Sequence, residues 1–162
     1  MAATGPAHTY YRGCHGRWRA TPRIVVTDPG ELRRSGMSWL DRASLRLLAR
    51  WPRWLAQVHM DTSVDYREDG EVVHTTVVRW LGLPFLRSTE ILSIAPDGTH
   101  LSVRGGMSGS GVVDDTGTRV DYALTWLGVG IRQHTRRETD RVTVYQEGPG
   151  FHGAQELVRR DR

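Results

Sequence analysis

Residues 118–137, TRVDYALTWLGVGIRQHTRR, carry the pattern that decides the fold. Val120, Tyr122, Leu124 and Trp126 alternate with Arg119, Asp121, Ala123 and Thr125. Period-two alternation puts one set of side chains on each face of a strand, so this segment is a strand with an apolar and a polar side. After a break at Gly128-Val129-Gly130 the alternation resumes. Ile131, Gln133 and Thr135 fall on the inner side, and Arg132, His134 and Arg136 face solvent.

The same texture extends in both directions. Strands are predicted at 62–68, 71–81, 85–95, 99–104, 111–115, 118–127, 131–137, 141–147 and 151–160, with an extended segment at 10–26. Asp69-Gly70 reads as a two-residue hairpin turn, because both residues tolerate positive φ. Gly82-Leu83-Pro84, Pro96-Asp97-Gly98 and the glycine-rich stretch 105–109 supply further breaks. About ten short, closely spaced strands favour a meander, and closure would remove the exposed edges. The expected fold is therefore mostly β, an antiparallel up-and-down β-barrel. It is expected to form a single domain over 1–162, with a helical insert at about 28–59.

The insert carries its own signals. Asp28 can cap a helix, Pro29 suits its first position, and Glu31 can close a capping box. A second helix is predicted from Ser38, with Leu40, Ser44, Leu47, Leu48 and Trp51 as its apolar stripe and Asp41, Arg42, Arg46 and Arg50 opposite. Pro52 ends or kinks it, and Trp54, Leu55 and Val58 continue the stripe for about one more turn.

An internal repeat extends the reading of facing. Trp80-Leu81-Gly82-Leu83-Pro84-Phe85 matches Trp126-Leu127-Gly128-Val129-Gly130-Ile131. Aligning Trp80 with Trp126 places Val72, His74, Thr76 and Val78 inside with Trp80. The following strand would then point Phe85, Arg87, Thr89 and Ile91 inward. Val64, Tyr66, Val142, Val144 and Gln146 belong inside as well. Such an interior mixes aliphatics and aromatics with isolated polar groups. Buried polar groups without partners cost about 1–3 kcal/mol each, so the set points to a cavity holding water or a ligand.

Composition narrows the field. The chain has 162 residues and a net charge of +4, with 22 basic residues that are all arginine, spread among 18 acids. That dispersal argues against a nucleic-acid surface. No apolar run reaches the roughly 20 residues that cross a bilayer, and the N-terminus lacks the apolar core of a secretory signal. Cys14 is the only cysteine. A cytoplasmic location is expected, with no membrane or nucleic-acid partner and a homodimer left open.

Gly16-Arg17-Trp18, followed by a helical excursion and a β-meander, resembles the calycin group, the lipocalins and their small intracellular barrel relatives. The resemblance implies that Trp18 closes the barrel floor, with Arg159 or Arg160 against it in a cation–π contact.

No motif fixes a chemistry. The run Gly105-Gly106-Met107-Ser108-Gly109-Ser110-Gly111 lacks the lysine of a phosphate loop and reads as a hairpin at the barrel mouth. The seven histidines are scattered, and Ser110 lacks a nucleophile-elbow setting. No cofactor is expected. His74 and Tyr122 are the candidate catalytic residues. Tyr66, Thr76, Trp80, Arg87, Thr89, Trp126, Gln133 and Gln146 are the candidate ligand-binding residues. The expected function is binding of a small hydrophobic molecule, with two roles open. One is a cyclase or isomerase acting on a polyketide- or polyene-like substrate; the other is a non-catalytic carrier. A haem-binding barrel with His74 as axial ligand is a third reading.

Overall fold

The computed structural model describes residues 4–50 and 58–160. In chain order the elements are α1 (Pro6–Cys14), β1 (Gly16–Ala20), β2 (Arg23–Val26), α2 (Pro29–Arg34), α3 (Trp39–Arg50) and β3 (Val58–Tyr66). Then come β4 (Glu71–Trp80), β5 (Leu83–Ile94), β6 (His100–Gly105) and β7 (Ser108–Val113). The chain ends with β8 (Arg119–Trp126), β9 (Val129–Arg137), β10 (Arg141–Gly148) and β11 (Phe151–Arg159). Every ladder is antiparallel, in the order β1-β3-β4-β5-β6-β7-β8-β9-β10-β11, and β1 pairs back onto β11 to close the barrel. Pro22 separates β1 from β2, since it cannot donate to a ladder. β2 resumes pairing lower on β11, with Phe151 opposite Val26.

The repeat is a repeat of turns. Leu81-Gly82 and Leu127-Gly128 each form a two-residue connection with both residues at positive φ: 50° and 81° in the first, 51° and 78° in the second. That is the type I′ geometry, whose twist suits a hairpin. Asp69-Gly70 is a different turn. β3 and β4 are joined by four residues, Arg67 N donates to Glu71 O, and Gly70 has positive φ whereas Asp69 does not.

The two hairpins then diverge. Trp126 pairs with Val129 and Leu124 with Ile131, so the inner face of β9 continues through Gln133 and Thr135. Trp80 pairs with Leu83, but a bulge at Arg79 shifts the ladder so that Val78 faces Leu86. One extra residue on one strand reverses its facing. Leu86, Ser88, Glu90 and Leu92 therefore share the inner face with Val78, Thr76, His74 and Val72. Arg87, Thr89 and Ile91 point outward, which corrects the expectation for this strand. Arg87 and Thr89 are exposed, and the hydroxyls of Thr89 and Thr75 lie 3.5 Å apart on the outer wall.

The N-terminal segment differs from the extended reading. Residues 6–14 form a helix, and Ala7, Tyr10, Tyr11 and Cys14 are buried along one side of it. In the insert, Asp28 caps α2 by accepting from Gly30 N and Glu31 N. Ser38 caps α3 by accepting from Asp41 N. Leu45 of α3 is buried, whereas Leu40 and Leu47 are more than half exposed. Arg42, expected on the polar side, donates to Met37 O and Arg33 O. Val58 opens β3 instead of extending the helix. Trp51, Pro52, Trp54 and Leu55 lie outside the described residues.

The insert is docked on Gly150. Its carbonyl accepts from Thr27 N and Asp28 N, its φ is 76°, and a Cβ there would lie 2.2 Å from Asp28 O. Gly150→Ala is expected to cost about 2 kcal/mol or more, read as a lower thermal midpoint.

Candidate ligand-binding interior

One end of the barrel is sealed by α1. Its buried tyrosines reach into the wall: Tyr10 Oη donates to Thr135 Oγ1 at 2.9 Å, and the hydroxyls of Tyr11 and Tyr122 share a short hydrogen bond. His8 Nδ1 lies 3.0 Å from Tyr66 Oη. Burial pushes the Tyr10, Tyr11 and Tyr122 phenols well above their ordinary range and the Cys14 thiol up to about 12. All four groups stay neutral at physiological pH, as an apolar floor requires.

Trp18 lies beside this plug on β1, 2% exposed, its indole N–H donating to Cys14 O at 2.7 Å. The Arg159 guanidinium stacks 4.3 Å from the Trp18 ring centroid. It also donates to His15 O at 2.9 Å and to Gly13 O at 2.5 Å. Arg159 is therefore the floor arginine. Arg160 lines a groove of about 500 Å³ on the outer wall, with Arg17, Arg19, Arg79 and Asp61.

Away from α1 the inner wall is unevenly filled, with Leu124, Val129 and Ile131 buried on β8 and β9 and the β3–β4 side more open. Inward-facing Met60, His74, Thr76, Val78, Trp126, Gln133 and Gln146 are only partly buried, whereas Val64, Val72, Leu101, Val113, Val120 and Leu157 are buried. Polar groups recur on this wall. Gln146 Nε2 donates to Gln133 Oε1 at 2.6 Å, and the hydroxyls of Thr62 and Thr76 are 3.3 Å apart. Trp126 meets Phe151 edge-on, with centroids 6.1 Å apart.

The most charged feature of the wall is Glu90, 3% exposed. Ser88 Oγ donates a short hydrogen bond to its Oε1, and His74 Nδ1 lies 3.6 Å from its Oε2. Burial alone would raise this carboxyl, but His74 and Ser88 together hold it below the usual carboxylate range. Two glycines leave room for the neighbouring side chains. A Cβ at Gly106 would meet Ser88 Oγ at 2.1 Å, and one at Gly111 would meet the Tyr122 ring at 2.6 Å.

The structure thus places His74, Thr76, Tyr66, Tyr122, Trp126, Gln133 and Gln146 on the inner face. Tyr122 sits directly across from Gln133. Trp80 keeps the inward parity but lies beside its turn at the rim, 44% exposed. Arg87 and Thr89 are on the outer wall. Glu90, Ser88, Tyr10 and Tyr11 were not among the expected site residues. The first two were hidden by the bulge. The last two followed a helical spacing, Ala7, Tyr10, Tyr11 and Cys14, that was there to be read. Among the described residues no cluster of three or more His, Cys, Asp or Glu could hold a metal ion, and no helix is long and apolar enough to cross a membrane.

The fold is calycin-like. No family model and no curated protein sequence matches the chain. Solved structures do. Rv2717c from M. tuberculosis superposes with a TM-score of 0.59 at 12% identity, covering 97% of this chain and 99% of that one. Fatty-acid-binding protein 1 of Echinococcus granulosus gives 0.53 at 8% identity, with 93% and 99% covered. Lipid binding protein 8 of Caenorhabditis elegans gives 0.52 at 12% identity, with 92% and 96% covered. At such identities the likeness is one of architecture.

Proposed function

We propose that this barrel binds a small hydrophobic molecule in its interior. The observation that carries the reading is that the inward-facing Met60, His74, Thr76 and Val78 of β3 and β4 are only partly buried. An eight-stranded barrel is just wide enough for its own side chains to fill or to hold one small ligand. A ten-stranded barrel can enclose more space, and the partly buried β3–β4 side of the wall is where a ligand would lie. Its apolar surface with a few polar groups is the ordinary make-up of a ligand pocket. The names of the Echinococcus and Caenorhabditis barrels, a fatty-acid-binding and a lipid-binding protein, support the same class of ligand.

The test is a titration of the full chain with a panel of long-chain and polyene compounds, followed by tryptophan fluorescence and thermal melting. A saturable fluorescence change is expected. Ligand at about a hundred times its Kd should add ~2.7 kcal/mol of stability by mass action. Absence of both signals across the panel would mean a filled core.

A second reading, a cofactor-independent cyclase or isomerase, is favoured by one observation: a buried carboxylate stands behind His74, the arrangement that orients a histidine for proton transfer. It predicts a ligand recovered chemically changed from wild type and unchanged from His74→Ala, with binding retained in both. A stoichiometric Soret band lost in His74→Ala would instead favour the haem reading.

A further inference from the structure

Away from α1, the ionised group on the inner wall is a carboxylate, and it selects among hydrophobic ligands. Glu90 is the ionised group of that wall. Among the described residues, the strand arginines of inward parity lie at the α1 end, beneath its helix. Arg159 covers Trp18, and Arg137 lies over the Tyr10 ring and donates to Gly117 O. Arg87 and Arg79 face outward. The His74–Glu90 pair carries a net charge of zero when the imidazole is protonated and −1 when it is neutral. It never offers a net positive charge to a ligand.

His74 is the accessible member, its side chain 34% exposed against 4% for Glu90. With Nδ1 the ring nitrogen nearer the carboxylate, at 3.6 Å, the neutral tautomer favoured there carries its proton on Nδ1 and leaves Nε2 as an acceptor. Thr76, two residues along β4, and Thr62 on the adjoining β3 add hydroxyls that adapt to either partner.

We propose that the interior takes an apolar molecule whose polar end donates hydrogen bonds, an amine or a hydroxyl, and discriminates against a carboxylate. The proposal rests on the binding reading above and adds the class of head group. An anionic head entering this wall would lose its water without gaining a cation, and would stand near a buried like charge. An amine or hydroxyl finds an acceptor at His74 and, in the amine's case, a favourable field from Glu90. Discrimination built from a like charge is as effective as a new attraction.

Decylamine, decanol and decanoate at pH 7.5 share one tail and differ in the head. Their binding to the full chain can be followed by calorimetry and tryptophan fluorescence below micellar concentrations. The expected order is amine, then alcohol, then acid, with at least tenfold between the first and last. The protein's net charge of +4 works against this order, since it attracts the acid. A preference for the amine therefore reports the interior. Glu90→Gln keeps the shape of the side chain and removes its charge. It should bring the amine and acid affinities to within about threefold, while the alcohol changes little. Acid bound as tightly as amine by wild type, or an unchanged preference in Glu90→Gln, would overturn the proposal and leave the binding reading standing. If none of the three binds, both fall. Should Glu90→Gln fail to fold, the wild-type order alone decides.

Discussion

Trp18→Ala is expected to lower stability by ~3–5 kcal/mol, among the largest losses from any single change in the chain. The indole is 2% exposed, and three things depend on it. It fills the floor, its N–H satisfies Cys14 O, and its ring carries the Arg159 guanidinium. Truncation leaves a cavity, an unsatisfied carbonyl and a cation without its aromatic face. For a chain of this size the thermal midpoint should fall by roughly 6–20 °C. Arg159→Ala should cost less, about 2 kcal/mol, from the cation–π contact and the bonds to Gly13 O and His15 O. Because the two side chains touch, the double variant should lose less than both single losses together. A Trp18→Ala chain within 1 kcal/mol of wild type would mean that the floor is not clamped here.

Tyr122 gives the second large effect, and a graded one. Tyr122→Ala should cost ~3–5 kcal/mol, since the ring packs against Gly111 and the hydroxyl reaches Tyr11. Tyr122→Phe should cost only ~1–2 kcal/mol, leaving the Tyr11 hydroxyl without its partner. His134→Ala, one position beyond Gln133 on the facing strand, should change stability by less than ~0.5 kcal/mol. Its ion pair with Asp121 lies at 2.5 Å on the outer wall, where solvent screens it. Urea melts of the three variants separate these outcomes. Similar losses at Tyr122 and His134 would contradict the inner and outer faces assigned to β8 and β9.

What could be read from the chain depended on how local the determinant is. The β8–β9 hairpin was legible because its alternation is unbroken and its turn inserts nothing. Inner and outer faces then followed from one residue. The β4–β5 hairpin begins with the same Trp-Leu-Gly, and its inner face was misassigned all the same. Its bulge lies beyond the turn, and nothing in Leu83-Pro84-Phe85-Leu86 distinguishes a bulged strand from a flat one without the partner ladder. That single residue moved Arg87 and Thr89 out and brought Ser88 and Glu90 in, so it decided the charge of the inner wall. α1 was missed for another reason. Tyr10 and Tyr11 have strand propensity, and it masked a spacing that tertiary contact with Tyr122 and Thr135 turns into a helix. The calycin reading of Trp18 left Arg159 and Arg160 open. Only the register of β11 against β1, with Trp18 opposite Arg159, settles it.

The order of the ladders also bears on how the barrel forms. From β3 to β11 every strand pairs with the next in sequence, so most of the wall can assemble through short loops, each with a small closure entropy. The seam is different. Arg159 reaches back to His15 across a separation of 144 residues, and β11 must find β1 and β2 at the far end of the chain. Closing so long a loop costs roughly 4 kcal/mol or more in chain entropy, which only a nearly complete wall can offset. The longest-range contacts of the protein therefore gather at this seam and at α1, whose tyrosines reach Tyr122 and Thr135. The meander zips early, the joint latches late, and unfolding begins by unlatching it.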